Sequence, residues 1–574
     1  MITNIIILAV ASFIVPVYAV VNPSSYLNFQ PLVINTPIIE VVGNKLFNVD
    51  SGQQFFIKGI AYQKTRQPGE VYDGMIEPYI DPLSNTQTCL RDIQYFKALG
   101  VNTIRVYQVN PASNHDICMN SLANAGIYVI ADLSEPSNSI DRSFPTWDIT
   151  LYDRYTSVID SLIKYPNTLA FIAGNEVANS QDTTDTAPFI KASIRDMKNY
   201  IISKGYRSIP VGYSSNDDAG IRKDLADYLV CKTSSNDNSA AEFIGLNIYE
   251  WCGYSTYATS GYRDLTYQFS EFPVPIMMSE YGCNTVRPRP FTEVEALYGS
   301  TMSKVWSGGI AYEYFEEVNN YGVVIQNPDG SISQYEDFSN LASKLNSINP
   351  ISISLSEYGN LTQSFPTCQA PTPEFQASTR LPNTPNKDKC TCLQASLSCV
   401  VNPYMNVNIN SLFSEVCGNI DCSDISNNGY DGIYGAFSDC SSTQKLSYIL
   451  NKYYISRNRD PTACNFSGRA TLITNVTDLN DLKTPDGKAC APLIENSKSY
   501  NLTFESSKSK ELLSLNETKT SPTNPTLDHY SPNSSFQRRN STSSYTSSGA
   551  IIINKLSEYL IQIIASLIGT LIVI

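Results

Sequence analysis

Two glutamates close short apolar runs at comparable places in the chain. Glu176 ends the run that begins at Leu169, and Glu280 ends the run that begins at Val274. Runs of this length and composition predict buried parallel strands that present their last polar residues at one end of a sheet. One such glutamate alone would indicate only a solvated strand end. A matched pair of carboxylates, one protonated and one ionised, is what the cleavage of a glycosidic bond requires.

Three further side chains are placed to support this pair. Asn175 directly precedes Glu176, which puts its amide within reach of a sugar 2-hydroxyl. Tyr249 ends another apolar run, and its hydroxyl could donate to the carboxylate of Glu280. Arg105 lies in a fourth run, where its charge would hold Glu280 ionised. The pattern therefore predicts one acid and one ionised carboxylate, each with its own neighbours.

The elements that must position these residues alternate between short apolar runs and longer helix-compatible segments. The runs lie at 55–61, 103–109, 127–133, 169–177, 209–213, 243–249, 275–281 and 309–315. This alternation predicts an α/β fold, the (β/α)8 TIM barrel. Glu280 follows Glu176 by 104 residues, about three strand-helix units, so the two belong to the fourth and seventh strands. A doubly wound open sheet is the alternative, but no glycine-rich phosphate loop follows the first run.

The composition argues against several other classes of function. The 574 residues carry a formal net charge of −14, so no basic surface is available to displace counterions from nucleic acid or an anionic membrane. Two histidines leave little material for a histidine zinc site or a Ser-His-Asp triad, and no metal or organic cofactor is expected. The 37 tyrosines suit sugar faces through a flat ring and a hydroxyl, although each could equally be a packing residue of the barrel rim.

Both ends of the chain carry targeting patterns. Residues 1–19 join an apolar stretch to small residues, which predicts a secretory signal peptide; an N-terminal anchor helix is the alternative, and Pro16 interrupts it. Small residues at 547–549, a spacer of about ten residues and an apolar tail over 560–574 predict a GPI-anchor signal with its propeptide at 549–574, rather than a plain tail anchor. The Ser/Thr/Asn-rich stretch at 496–548 is predicted to be a stalk without a packed core. We therefore expect a secreted chain that is attached to the membrane through a C-terminal lipid.

The cysteines indicate a second domain. Eight of the fourteen fall between Cys390 and Cys490, after a proline-rich linker at 346–385. In an exported chain this density predicts a small disulfide-stapled domain over 386–495. Zinc binding is the competing interpretation, but the segment lacks Cys-X-X-Cys pairs and nearby histidines. Eight cysteines allow about 105 connectivities, and the sequence selects none of them.

Six short motifs at the predicted strand ends carry a family resemblance. They are Gly59 to Gln63, Arg105 to Asn110, Gly174 to Val177, Asn247 to Gly253, Ser279 to Asn284 and Tyr312 to Phe315. Together they make the region from about residue 30 to 345 resemble the fungal β-1,3-glucanosyltransferases of glycoside hydrolase family 72. The cysteine-rich segment resembles the family 43 carbohydrate-binding module that some members carry. The order of signal, barrel, module, stalk and lipid-anchor tail is the order expected of those cell-wall enzymes.

The resemblance implies a role for each candidate residue. It makes Glu176 the acid/base and Glu280 the nucleophile of a retaining reaction. The implied sugar-binding positions are Tyr107, Asn175, Tyr249 and Tyr312, with weaker matches at Gln63, Asp132 and Tyr321. The implied reaction cuts an internal β-1,3-glucan linkage, holds the part with the old non-reducing end as an ester on Glu280, and transfers it to the non-reducing end of another glucan.

This interpretation implies the partners of the protein and leaves two alternative functions. The partners are a β-1,3-glucan donor and acceptor, for a monomer at the outer face of the plasma membrane or in the cell wall. The first alternative is an endo-β-1,3-glucanase, in which water replaces the acceptor sugar at the same site. The second is a wall-binding protein without catalytic activity, in which the module and stalk matter more than the barrel.

The six cysteines of the barrel region can be paired by their positions in the predicted fold. Two follow the ends of the neighbouring sixth and seventh strands, two lie on the first two crossover segments, and the last two would tie the start of the linker to the barrel. The expected pairs are Cys252 with Cys283, Cys89 with Cys118, and Cys231 with Cys368. The same pairs match the family pattern, and free buried thiols are the alternative.

Overall fold

The centre of the computed structural model, which describes residues 36–65, 79–359 and 363–497, is a closed barrel of eight parallel strands. In chain order the strands are β1 (Ile57–Ala61), β2 (Thr103–Val106), β3 (Tyr128–Asp132), β4 (Thr168–Asn175), β5 (Val211–Asn216), β6 (Ile244–Cys252), β7 (Ile276–Cys283) and β8 (Trp306–Ala311). Each strand is bonded to the next one along the chain, and β8 closes against β1. The predicted (β/α)8 barrel is confirmed, with the two glutamates at strands four and seven.

Helices follow the strands along the chain and form the outer layer. They are α1 (Thr86–Leu99), α2 (Asp116–Asn124), α3 (Ile149–Leu162), α4 (Ala187–Ser203), α5 (Arg222–Val230), α6 (Tyr262–Gln268), α7 (Glu293–Leu297) and α8 (Glu336–Ser347). The first of them has both local end signals: Asn85 accepts from the backbone N–H of Thr88, and Gly100 ends the helix at a φ of 78°. Among the described residues, no helix is both long and apolar enough to cross a bilayer.

The observed strand ends differ from the predicted ones by up to four residues. β8 runs over Trp306–Ala311, whereas its predicted run was 309–315. The apolar residues that follow β8 leave the sheet: the ring of Tyr314 packs 5.0 Å from Phe96, and the ring of Phe315 packs 5.6 Å from Tyr62. An apolar run alone cannot distinguish such packing behind a rim from strand pairing.

An antiparallel hairpin closes the end of the barrel at which the strands begin. Its strands are Ile39–Val42 and Lys45–Asn48. Leu46 joins an apolar cluster with residues near the starts of the barrel strands, among them Ile57, Leu169 and Phe243. Each of these buried side chains contributes about 1.5–3 kcal/mol relative to exposure. The hairpin excludes water from this end, so the opposite end, where the strands finish, remains open for chemistry.

A small disulfide-rich domain follows the barrel. Its helices are Lys387–Ala395, Ile409–Cys417 and Ser442–Ser456, and its short strand pairs are Cys399–Val401 with Ala470–Leu472 and Asn427–Asn428 with Ile433–Tyr434. Its bridges join Cys390 to Cys440, Cys392 to Cys490, Cys399 to Cys464, and Cys417 to Cys422. With the barrel bridges this uses all fourteen cysteines, so no free thiol is left for zinc. The predicted second domain is therefore confirmed.

The proline-rich segment between the two domains is packed against the barrel. The backbone N–H of Lys232 donates to the carbonyl of Pro366 at 3.2 Å, and the Lys232 ammonium lies 3.8 Å from the centre of the Phe365 ring. Further along, the backbone N–H of Gln376 donates to the hydroxyl of Thr184 at 2.8 Å. At these contacts the proline-rich segment is therefore docked on the barrel.

The module touches the barrel beside the loop that follows β3. The Nδ2 atom of Asn427 donates to the carbonyl of Pro145 at 3.1 Å, and the backbone N–H of Ile149 donates to the carbonyl of Asp439 at 2.9 Å. Because this loop leaves the C-terminal end of its strand, the module lies on the side of the barrel mouth. The predicted signal peptide at 1–19, the stalk beyond residue 497 and the GPI propeptide at 549–574 lie outside the described residues.

Candidate active site

Three donors converge on the carboxylate of Glu280 in β7. Arg105 Nη1 donates to Oε1 at 3.2 Å, the Tyr107 hydroxyl donates to the same oxygen at 3.0 Å, and the Tyr249 hydroxyl donates to Oε2 at 2.7 Å. Burial raises the pKa of Glu280, which is 7% exposed, to about 7, because the guanidinium and the two hydroxyls, which lower this pKa, offset the burial only in part. This carboxylate is therefore almost fully shielded from water, and the three donors hold its ionised form in one orientation.

Glu176 is the first residue after β4 and lies in a sharp turn. Its φ is +50°, in the left-handed region that residues other than glycine rarely adopt. The Tyr213 hydroxyl holds the turn, because it accepts from the backbone N–H groups of Val177 at 2.8 Å and Ala178 at 3.2 Å. The Glu176 side chain is half-buried. It is therefore held by the turn and still accessible from the barrel mouth.

Arg105 is fully buried and joins the two halves of the site. Its Nε and Nη2 atoms donate to the two carboxylate oxygens of Asp132 at 3.1 and 2.9 Å, and Nη2 also donates to Asn175 Oδ1 at 3.0 Å. Burial alone would lower the pKa of Arg105, but the carboxylates of Asp132 and Glu280 together raise it. The site therefore contains a permanent positive charge in a fixed fork geometry.

Four tyrosine rings lie together at the mouth beside Glu280. The ring of Tyr312 packs edge-on against three others, with centroid distances of 6.2 Å to Tyr107, 6.4 Å to Tyr249 and 5.4 Å to Tyr321. Burial raises the pKa of all four hydroxyls, so they remain protonated donors. The cluster, here called the tyrosine platform, offers flat apolar faces edged by hydroxyls, which suits sugar rings.

Comparison with known proteins identifies the family. Residues 30–349 match the family model described as glucanosyltransferase, of glycoside hydrolase family 72. The chain belongs to this glucanosyltransferase family. Residues 397–471 match the X8 domain, which lies within the disulfide-rich module.

Curated relatives and solved structures agree with this assignment. The 1,3-β-glucanosyltransferase PGA5 of Candida albicans is 51% identical over 80% of this chain and 75% of its own length. The 1,3-β-glucanosyltransferase GAS2 of Saccharomyces cerevisiae is 48% identical over 78% of this chain and 81% of its own. The structure of Saccharomyces cerevisiae Gas2p in complex with laminaripentaose has a TM-score of 0.71 and 48% identity, and the match covers 76% of this chain and 97% of that one.

The glucanosyltransferase barrel brings most of the predicted site residues into one network. Both carboxylate oxygens of Asp132 accept hydrogen bonds from Arg105, so Asp132 is connected to the two glutamates through that guanidinium. Tyr321 reaches the site through its ring, which lies 5.5 Å from that of Tyr249. Gln63 lies two residues beyond β1 and is half-buried, and the hydrogen bonds of the described residues do not link it to either glutamate.

The sequence patterns assign no role to three polar residues below the glutamates, although two of them, Asn247 and Ser279, open motifs that carry the family resemblance. Asn247 Nδ2 donates to Glu176 Oε1 at 2.8 Å. The hydroxyls of Ser214 and Ser279 lie 2.6 Å apart and contact Asn247 Oδ1 at 3.0 and 2.8 Å. The signal that could have indicated Asn247 is its position two residues before Tyr249, because residues i and i+2 of a strand share a face.

Three disulfides brace the glucanosyltransferase barrel. They join Cys89 to Cys118, Cys231 to Cys368, and Cys252 to Cys283, the pairs expected from the sequence. Cys252 and Cys283 are the last residues of β6 and β7 and lie opposite each other in the sheet register. This bridge therefore ties the two strands that carry Tyr249 and Glu280 just beyond those side chains.

Proposed function

We propose that the chain is a retaining 1,3-β-glucanosyltransferase in which Glu280 is the nucleophile and Glu176 the acid/base. The observation that carries this proposal is the unequal surroundings of the two carboxylates. Glu280 is buried and receives three donors, one of them cationic, whereas Glu176 is half-buried and receives a neutral amide. Membership of the glucanosyltransferase family, and the laminaripentaose bound by Gas2p, support β-1,3-glucan as donor and acceptor.

The first half-reaction opens an internal β-1,3 linkage. Protonated Glu176 gives its proton to the glycosidic oxygen while the carboxylate of Glu280 attacks the anomeric carbon. The fragment with the original reducing end leaves, and the fragment with the old non-reducing end stays as an ester on Glu280. The negative charge that Arg105 balanced on Glu280 disappears on ester formation, and Asp132 continues to balance the guanidinium.

Asn175 supplies a directional contact to the sugar bound at Glu280. Its Oδ1 accepts from Arg105 and from Asn247, so its Nδ2 is the group it presents as a donor. We assign this donor to the sugar 2-hydroxyl, a contact that strengthens as the ring approaches the oxocarbenium-like transition state. Tyr312, with the weaker candidates, would line the flanking subsites.

The second half-reaction transfers the bound fragment. Glu176, now ionised, takes a proton from the non-reducing-end hydroxyl of another glucan, whose oxygen attacks the anomeric carbon and releases Glu280. The tyrosine platform favours a sugar over water at this step, because its flat apolar faces gain more from covering a sugar ring than from contact with solvent. Hydrolysis is the side reaction when water arrives first.

The proposed setting is the cell surface. Seven disulfides support an oxidising, extracytoplasmic compartment. The signal peptide and the GPI signal are proposed from the two ends of the sequence, and the enzyme is proposed to act as a monomer. Release of the full chain from cells by a phosphatidylinositol-specific phospholipase tests the anchor; retention in the membrane fraction would contradict it.

A product analysis tests the activity. The secreted protein is incubated with a reduced laminari-oligosaccharide, and transfer is expected to give products longer than the starting sugar. Shorter products alone would identify an endo-β-1,3-glucanase. Glu176→Gln and Glu280→Gln are each expected to abolish turnover while glucan binding persists, whereas retained turnover in either would refute the roles. Unchanged biological function of both variants would favour the non-catalytic wall-binding alternative.

A further inference from the structure

Asn247 lies between the two strand serines and the acid/base. It is in β6 and 3% exposed. Its Nδ2 atom donates to Glu176 Oε1 at 2.8 Å and to Asn175 Oδ1 at 3.1 Å. Its Oδ1 atom lies 3.0 Å from the hydroxyl of Ser214 and 2.8 Å from that of Ser279. Both ends of this buried amide are therefore engaged.

The neighbours determine which end of the amide faces the acid/base. Ser214 and Ser279 have two hydroxyl hydrogens for three short contacts, so any arrangement that satisfies the contact between them leaves one hydrogen for Asn247 Oδ1. On the other side, Arg105 fixes Asn175 Oδ1 as an acceptor. A flipped amide would set oxygen against oxygen there. The network therefore holds Nδ2 toward the acid/base.

We infer that Asn247 is a positioning residue that fixes which oxygen of Glu176 carries the transferable proton. The amide nitrogen can only donate, so Glu176 Oε1 must accept, and the proton of the acid form belongs on Oε2. This inference rests on the proposed function, because it specifies how Glu176 performs its two roles. It adds a network of Asn247, Ser214 and Ser279 to the residues that touch the sugar.

The proton balance runs through one oxygen in both steps. In the first step the Oε2 proton of Glu176 moves to the glycosidic oxygen as its bond to the anomeric carbon breaks and the bond from that carbon to Glu280 forms. In the second step the acceptor hydroxyl returns a proton to Oε2, its oxygen bonds to the anomeric carbon, and the ester breaks. Without Asn247 the proton can occupy either oxygen and the side chain can rotate. The loss is therefore confined to steps that need the proton.

The test compares a substrate that needs the proton with one that does not. A reduced laminari-oligosaccharide has a sugar leaving group, whereas a 2,4-dinitrophenyl β-laminarioside releases a stable phenolate whose burst reports the first step. Asn247→Ala removes the amide, and Asn247→Asp keeps its shape and the acceptor for the serines but replaces the donor. Glu176→Gln serves as the reference for a lost acid. Ser215→Ala is the matched control, because this buried hydroxyl donates to the carbonyl of Asn216 on the same strand.

We expect both Asn247 variants to slow oligosaccharide transfer by roughly 100-fold, toward the low end of what general acid–base catalysis contributes, and to leave the dinitrophenolate burst rate within about threefold of wild type. Ser215→Ala is expected to match wild type on both substrates. The decisive protein is an Asn247→Asp variant that keeps the wild-type melting temperature. The inference would be overturned if this variant lost equal rates on the two substrates, or if its transfer rate were unchanged. If Glu176→Gln itself lost both substrates equally, the proposed role of Glu176 would fail instead, so the two failures are distinguishable.

Discussion

Replacing Tyr249 with phenylalanine tests whether Glu280 works as an ionised carboxylate. The Tyr249 hydroxyl donates to Glu280 Oε2 at 2.7 Å, and its ring packs edge-on against Tyr312 and Tyr321. Burial and the charge of Glu280 raise the pKa of Tyr249, so the hydroxyl keeps its proton and remains a donor. Tyr249→Phe therefore keeps the ring and its packing and removes the donor alone.

The size of the effect follows from the worth of one hydrogen bond to a charged group. Such a bond contributes about 1.5–3 kcal/mol. Because about 1.4 kcal/mol corresponds to one pKa unit, its loss raises the pKa of Glu280 by about 1–2 units while Arg105 and Tyr107 stay in place. The shift is upward because the lost bond stabilised the charged form. Activity that requires ionised Glu280 is then kept at high pH and lost earlier as the pH falls.

The assay is the pH dependence of kcat/KM for transfer from a reduced laminari-oligosaccharide, whose acid limb reports the free enzyme. Tyr249→Phe should move that limb to higher pH. Tyr321→Phe is the matched control, because its ring packs in the same platform while the described hydrogen bonds do not connect its hydroxyl to Glu280. An acid limb that stays in place or moves to lower pH in a folded Tyr249→Phe protein would refute the reasoning.

Three further variants probe charge, loop closure and domain docking. Arg105→Met leaves buried carboxylates without their cation, so urea titration should show the free energy of unfolding lowered by about 3–5 kcal/mol, with transfer lost; unchanged stability would contradict this. Replacing Cys252 and Cys283 together with serine opens a loop of sequence separation 31 and should lower that free energy by about 2–4 kcal/mol, which calorimetry would detect as a lower Tm; an unchanged Tm would argue against a bracing role. Gly429→Ala would place a Cβ 1.9 Å from the backbone oxygen of Asp185, so the module should be pushed from the barrel and limited proteolysis between the domains should accelerate; digestion at the wild-type rate would show that the contact yields without cost.

The barrel and the two glutamates at its mouth could be predicted because buried parallel strands appear as uninterrupted apolar runs, and the polar residue that ends a run lies at the barrel mouth. Glu176 and Glu280 stood out for this reason. The extent of β8 could not be predicted in the same way, because Tyr314 and Phe315 are as apolar as strand residues yet pack behind the rim. The proline content of residues 346–385 indicated a linker, but the contact of Phe365 with Lys232 shows that this segment is docked on the barrel.

The sequence by itself determined the fold class and the family and singled out Glu176 and Glu280, since these depend on local periodicity and on short motifs. Only the tertiary structure decided how the eight cysteines of the module pair, because connectivity depends on which helices meet in space. It also decided that three donors converge on Glu280 and that the Asn247 amide faces Glu176 with its nitrogen. These contacts join side chains from different strands, and the direction of a hydrogen bond is set by all the partners of a group together.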